Sequence, residues 1–263
     1  MRRHRALPGV GVMQLTLERG LSRAVPHLYS SVLQLEGQSV SSVRGVHWST
    51  RPGTLGVKVP GEVYAYARRE RSRCQVLVFD DELVDEARAA LDRPLTEPRA
   101  GSFDGLRDPR VEPLMALHQA ILDEASGGAA LEQALSDALA TLVTLTGTAS
   151  TGSERPSSWS GAVARARALL DERITEPVTL DELAAHARLD KFRLCRAFRE
   201  QVGLPPHAYV THRRVSVAQE LLARGVPQAE VAMRVGLYDQ SQLHRHFKRI
   251  LGVTPGAWAR ATR

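Results

Sequence analysis

Arg196 and Arg199 are matched 49 residues further along the chain by Arg245 and Lys248. Cations spaced three apart project from one face of a helix. Their chemistry is that of nucleotide recognition: a guanidinium forks onto guanine O6 and N7, while an ammonium or a second guanidinium settles on phosphate. Gln240 adds an amide suited to adenine, Ser241 and His244 add further hydrogen-bonding groups, and Phe192 offers a surface for a thymine methyl. Lys191 and Cys195 complete the candidate face of the first copy. Taken singly, each basic residue is equally well a solvated surface. The duplication argues for a shared role.

These side chains need helices that hold them. The segment Asp190–Gly203 is echoed by Asp239–Gly252, with Asp, Leu, Arg, Phe and Gly recurring in register. In the first copy Leu194, Ala197, Phe198 and Val202 form the packing face; in the second Leu243, Phe247, Ile250 and Leu251 do so. Asp190 and Asp239 stand where N-caps are expected. Upstream of each copy lies a shorter helical stretch, Thr179 to Ala187 and Gln228 to Val235, so each unit reads as a helix-turn-helix. Pro206 to Ala223 reads as one long helix joining them. Two reading helices on one side of B-DNA should lie about one turn, roughly 34 Å, apart.

From about Gly161 to Arg263 the chain resembles the AraC/XylS family of bacterial transcription regulators. The resemblance rests on Leu-Asp-Glu-Leu-Ala (180 to 184), on Leu194, Arg196, Phe198 and Gly203, and on Arg214, Ala218 and Leu221-Leu222. It continues through Val231-Ala232, Gly236-Leu237, Gln240-Ser241, Phe247-Lys248-Arg249, Gly252 to Pro255, Trp258 and Arg260. It implies that Phe192, Cys195, Arg196, Gln240, Ser241, His244 and Arg245 face base edges. Leu237 departs from the large aromatic that often follows the second glycine. The departure bears on the target sequence rather than the fold.

Charge divides along the same line. From Ser157 onward there are 17 Lys and Arg against 10 Asp and Glu, a net +7, whereas the remainder has 18 against 19, a net −1. The basic C-terminal part is the footprint of a phosphate-backbone partner. Cys74 and Cys195 are too few and too far apart for a disulfide framework or a four-cysteine zinc site. No apolar stretch approaches a membrane span, and the basic start is not followed by an apolar signal core. The expectation is a cytoplasmic, nucleoid-associated protein without a membrane partner.

Before residue 80 the chain breaks into short runs between Gly, Pro and Ser: Ser30 to Leu35, Gln38 to Arg44, Thr54 to Val59, Glu62 to Ala67 and Gln75 to Phe79. They predict a small sandwich or barrel. Their order resembles the cupin-like jelly-roll sensing domain that often precedes AraC-type DNA-binding domains. A metal-dependent cupin needs clustered ligands, and His27 and His47 are isolated, so no metal or other cofactor is expected. An effector pocket is expected to draw on His27, Tyr29, His47, Trp48, Tyr64 and Tyr66, each of which reads more readily as a satisfied core or surface residue. Helices are predicted at Asp81 to Leu91, Val111 to Ala125 and Ala130 to Leu145; the last packs on the barrel, on its neighbour or on a second protomer.

The sequence thus predicts an α+β chain: a cupin-like β-barrel or jelly-roll with two or three helices over 1–146, a Ser/Thr/Gly-rich flexible linker over 147–160, and an all-α domain with two helix-turn-helix modules joined by a long helix over 161–263. The expected function is a homodimeric regulator, not an enzyme, with promoter DNA, RNA polymerase and a small-molecule effector as partners. Two alternatives stand beside it. One is a DNA-targeted enzyme such as an alkyl-transfer repair protein, which would need an activated Cys74. The other is an orphan regulator whose barrel only dimerises.

Overall fold

The computed structural model describes residues 2–4, 6–44, 46–91, 101–104, 108–123, 128–147 and 160–261. The stretch expected as a linker, 147–160, lies outside them except at its two ends, as does the end of the helix expected to reach Ala125. Strands come first: β1 (Arg2–Arg3), β2 (Val10–Leu17), β3 (Gly20–Ala24), β4 (Tyr29–Glu36), β5 (Ser39–Val43), β6 (Val46–Thr50), β7 (Thr54–Lys58), β8 (Tyr64–Arg68), β9 (Ser72–Phe79) and, after α1 (Asp81–Ala90), β10 (Gly101–Asp104). A 3-10 turn (Pro109–Val111) leads into α2 (Glu112–Leu122) and α3 (Gly128–Gly147). The C-terminal part is helical: α4 (Ser160–Glu172), α5 (Leu180–Ala187), α6 (Lys191–Val202), α7 (Pro206–Ala223), α8 (Gln228–Arg234), α9 (Gln240–Leu251) and α10 (Pro255–Ala261).

The strands form two antiparallel sheets, β1-β2-β9-β4-β7-β10 and β3-β8-β5-β6. Alternation assigns the faces of the larger sheet. Leu55, Val57, Leu77 and Phe79 point to α1, α2 and α3 and join Val84, Leu114, Leu117 and Leu142 in a fully buried core. Inside that core His118 of α2 is held between two strands: its Nδ1 lies 2.6 Å from Gln75 Oε1 and its Nε2 2.9 Å from Ser31 Oγ. An amide oxygen only accepts, so the proton sits on Nδ1 and Nε2 accepts from the serine hydroxyl. Ser30, Val32, Gln34, Lys58, Cys74 and Val76, of the other parity, face the smaller sheet.

Strands β1, β2, β3, β6 and β10 and helices α4 and α10 are additional to those the sequence predicts. Both β3 and β6 are edges of the smaller sheet with most positions in solvent, so neither carries an apolar run. In α4 the buried side chains are Ala162, Val163, Ala166 and Leu170, a helical spacing thinned by alanine and interrupted by arginine.

Candidate nucleic-acid interface

The first module begins at Thr179, which caps α5 through a reciprocal box: its hydroxyl accepts from Glu182 N–H at 3.2 Å, and the Glu182 carboxylate accepts from Thr179 N–H at 2.9 Å. The chain turns through Arg188 in the left-handed region, with Leu189 N–H donating to Ala184 C=O. Asp190 then caps α6, accepting from the N–H groups of Phe192 and Arg193 at 3.1 and 2.9 Å. The second module repeats this with Gly236 in the left-handed position, Leu237 N–H donating to Ala232 C=O, and Asp239 accepting from Gln242 N–H at 2.6 Å.

The supporting helices and turns correspond at an offset of 48 residues, whereas the recognition helices correspond at 49. The extra residue is Tyr238. It is 91% exposed, and its backbone N–H is tied to Gln242 Oε1 at 2.8 Å. Each recognition helix ends on a left-handed glycine, Gly203 or Gly252. Each is seated by an edge-on aromatic pair, Phe198 with Tyr209 at 5.7 Å between centroids and Phe247 with Trp258 at 6.0 Å.

Outward-facing residues divide by their electrostatic partners. Lys191 Nζ lies 3.1 Å from Asp181 and Arg193 Nε 3.2 Å from Asp190, so those cations are neutralised within the protein. Arg196, Arg199, Arg245 and Lys248 are exposed, and among the described residues no carboxylate pairs with them. Phe192 is 77% exposed beside them, with Gln240, Ser241 and His244 exposed on α9 and Cys195 half-buried on α6. All the residues expected on the two reading faces therefore lie on α6 and α9, with Lys191 engaged in an ion pair. Tyr238 is the exposed residue at this surface that the sequence reading passes over. Its signal is the one-residue difference between the two offsets.

The helix α7 carries both modules. Arg214 on it donates to three backbone carbonyls, Ile174 at 2.6 Å, Gly236 at 2.8 Å and Glu176 at 2.8 Å, and so pins the turn after α4 to the turn between α8 and α9. The opposite side of α7 meets the sheets. Ser216 donates to Val25 C=O, Arg213 to Pro26 C=O at 2.8 Å, and His27 pairs with Glu220. Val25 and Val63 enter the core of the first module, and Met13 and Leu15 pack on that of the second. At the centre Glu62 accepts from Arg44 at 2.7 and 2.8 Å and from Arg167 of α4 at 2.9 Å. Burial pushes the Glu62 carboxyl up, but the two guanidinium groups outweigh it and hold the carboxyl below the ordinary range.

The six residues expected around an effector pocket are not brought together. His27 is at the junction with α7, Tyr29 is buried on the helix side of its sheet with its hydroxyl bonded to Arg88, and His47 is exposed on an edge strand. Trp48, Tyr64 and Tyr66 do share the inner face of the smaller sheet, with the Tyr64 hydroxyl accepting from Val59 N–H at 2.8 Å. Alternation in register, invisible without the pairing, separates the two groups. Cys74 is buried, and burial pushes its thiol up, away from the thiolate a nucleophile needs. Among the described residues no group of three or more His, Cys, Asp and Glu is close enough to hold a metal, and no helix is long and apolar enough to cross a membrane.

Two helix-turn-helix units on one connecting helix, beneath a two-sheet domain, define the architecture. Residues 183–261 match the helix-turn-helix domain family. The chain is 30% identical over 87 residues to the probable transcriptional regulator LumQ of Photobacterium leiognathi, covering 33% of this chain and 35% of that one. It is 37% identical over 81 residues to the HTH-type transcriptional regulator MtrA of Neisseria gonorrhoeae, 30% of this chain and 27% of that one. The chain therefore spans about a third and about a quarter of these two relatives. In fold it is similar over nearly its whole length to unsaturated fatty acid bound ToxT from Vibrio cholerae strain SCE256, with a TM-score of 0.63 at 12% identity, covering 98% of this chain and 97% of that one. Over this C-terminal part the chain is thus similar to HTH-type transcriptional regulators.

Proposed function

We propose that the chain is a sequence-specific DNA-binding transcriptional regulator, with α6 and α9 reading two successive major-groove segments. The single observation that carries this reading is the matched set of exposed cations without carboxylate partners, Arg196 and Arg199 on α6 and Arg245 and Lys248 on α9. A merely solvated surface gives no reason for the same pair to recur at the same register on two capped helices. Arg196 and Arg245 are assigned to base edges with Phe192, Cys195, Gln240, Ser241 and His244; Arg199 and Lys248 are assigned to phosphates, as is Lys191 when phosphate displaces its exposed partner Asp181.

Residues 1–146 form the effector-binding and dimerising domain in this reading, 147–160 the linker and 161–263 the DNA-binding domain. A small-molecule effector is supported by the likeness in fold to a protein solved with an unsaturated fatty acid. RNA polymerase is the partner on the promoter, and the protein works as a cytoplasmic, nucleoid-associated homodimer with no catalytic activity. The buried thiol of Cys74 speaks against alkyl transfer.

The test is selection of bound duplexes from a random pool, then titration of Arg196→Ala and Arg245→Ala on the selected site and on a scrambled one. Each variant should lose about 1–3 kcal/mol on the selected site and much less on the scrambled one. Equal losses on both would contradict base reading.

A further inference from the structure

The smaller sheet reaches the second recognition helix. Strand β3 packs beside α9, and Met13 and Leu15 of the preceding β2 lie against the core of the second module. Val25, two residues beyond Arg23, enters the core of the first module, and its carbonyl accepts from Ser216 of α7. Arg23 is thereby held beside α7 and α9. It is exposed, and among the described residues no carboxylate pairs with it.

Arg249 stands on the α9 side of this junction. It lies one turn beyond Arg245 and next to Lys248, on the flank of the exposed face rather than at its centre. It too is exposed and without a carboxylate among the described residues, and its Nη2 donates to His246 Nδ1 at 3.0 Å. His212 of α7 completes the contact. Burial, and then the charges of Arg249 and Arg23, push its ring down to about 4, so one neutral ring feels both guanidinium groups. Elsewhere the junction pairs its ions: Glu62 faces Arg44 and Arg167, Asp171 faces Arg213 at 2.9 Å, and His27 faces Glu220. Along the flank between α9 and β3 the cations instead continue uncompensated from Arg245 and Lys248 through Arg249 to Arg23. A lone exposed arginine is ordinary solvated surface; continuity with the face of α9 sets this one apart. Mutual repulsion among such cations is relieved when a polyanion lies along them.

We propose that the sheet domain shares in the grip on DNA: Arg23 of β3, with Arg249 of α9, holds the sugar-phosphate backbone of the duplex alongside the groove that α9 occupies. The proposal rests on the placing of α9 in a groove of duplex DNA, and it extends the contact surface from the helix-turn-helix modules onto the first half of the chain. Backbone contacts of this kind fix position and carry no sequence information. An extended polyanion suits cations strung over two separate elements better than a single small anion does. Affinity then depends on how β3 sits against α9.

The experiment measures binding of the full chain to the selected duplex and to a scrambled one of equal length across a salt gradient. Arg23→Ala should weaken both by the same factor, about threefold to tenfold near ~0.1 M salt, and should flatten the slope of log affinity against log salt by about 0.9. Arg23→Lys, which keeps the charge, should restore most of that slope, and Arg23→Glu should lose more than Arg23→Ala. Arg110→Ala, before α2 on the helix-bearing face of the larger sheet, should change neither affinity nor slope. Ethylation interference on the selected duplex should lose about one or two phosphates in Arg23→Ala while the others persist. Unchanged affinity and slope in Arg23→Ala overturn the proposal. So does tighter binding, which would make β3 an obstruction, or a loss confined to the selected duplex. Loss of inorganic phosphate binding in Arg23→Ala with duplex affinity intact would make this a small-anion site instead. Because the slope is read on the scrambled duplex as well, the two readings fail separately: absent sequence preference in the parent sinks base reading, whereas an unmoved slope in Arg23→Ala sinks only this contact.

Discussion

Gly236 and Gly252 hold nearly the same backbone conformation, with φ of +71° and +78°, yet they differ in what surrounds them. A Cβ on Gly252 would meet nothing within 4 Å, while one on Gly236 would lie 2.2 Å from the backbone oxygen of Thr175. Gly252→Ala should therefore cost only the left-handed penalty, about 1–2 kcal/mol. Gly236→Ala adds a backbone clash that no side-chain rotation relieves, and should cost at least about 3 kcal/mol in urea denaturation. Tyr238, two residues on, belongs to the same turn. Its exposed ring and hydroxyl beside the N-terminus of α9 suit a phosphate, so Tyr238→Ala should weaken binding to selected and scrambled duplexes alike; a loss confined to the selected site would make it a base reader. The exposed positions of α6 and α9 were legible because capping aspartates, packing faces and outward cations all recur. Tyr238 was passed over because one inserted residue leaves the repeat of the recognition helices intact.

At the level of elements, α7 decides how the two helix-turn-helix modules are phased. Its 18 residues make a rod of about 27 Å. Val215, Ala218 and Leu222 are buried against the second module, while Tyr209 is buried against the first. Arg214 locks the turns of both, so the modules should not rotate independently. An operator with about 5 base pairs inserted between its half-sites puts the second site on the opposite side of the duplex, and affinity should fall to that of a single half-site in a gel-shift titration. Retained affinity would mean that α7 bends. The connecting helix was legible from its length and apolar spacing. The polar register of its other side was not, because Ser216, Arg213 and Glu220 read as a solvated face until β3 and β4 bring Val25, Pro26 and His27 against them. The edge strands β3 and β6 were hidden because their own side chains mostly face water, and β3 in addition pairs with β8 far along the chain.

For the whole molecule, the sheets and helices are joined by polar groups whose state depends on pH. Burial pushes His118 down to about 3, and burial with Arg249 and Arg23 nearby pushes His212 down to about 4. Both are neutral in the folded protein at pH 6, where an unfolded histidine near 6.5 begins to bind its proton. The unfolded chain thus holds more protons, and stability falls as pH drops below about 6.5, by up to about 1.4 kcal/mol per pH unit for each histidine. Below about 4 only His118 still contributes. Glu62, held below its ordinary value, adds a loss in the same direction as pH falls through the carboxylate range. Urea denaturation between pH 7.5 and 5 should show this slope, and His118→Gln should reduce it by about one proton while lowering stability at pH 7.5. The junction itself can be tested at constant pH. Glu62→Ala takes from Arg167 the nearer of its two carboxylates, leaving Asp171 at 3.8 Å, and should cost about 3 kcal/mol. Glu62→Leu combined with Arg167→Met exchanges the pair for apolar volume and should recover most of that loss. If the ion pair also passes a signal from the sheets to the helices, the double variant should keep its stability and its sequence preference while effector no longer changes its grip on DNA. Unaltered effector response in that variant would place the coupling instead at Ser216, Arg213 and His27 along α7.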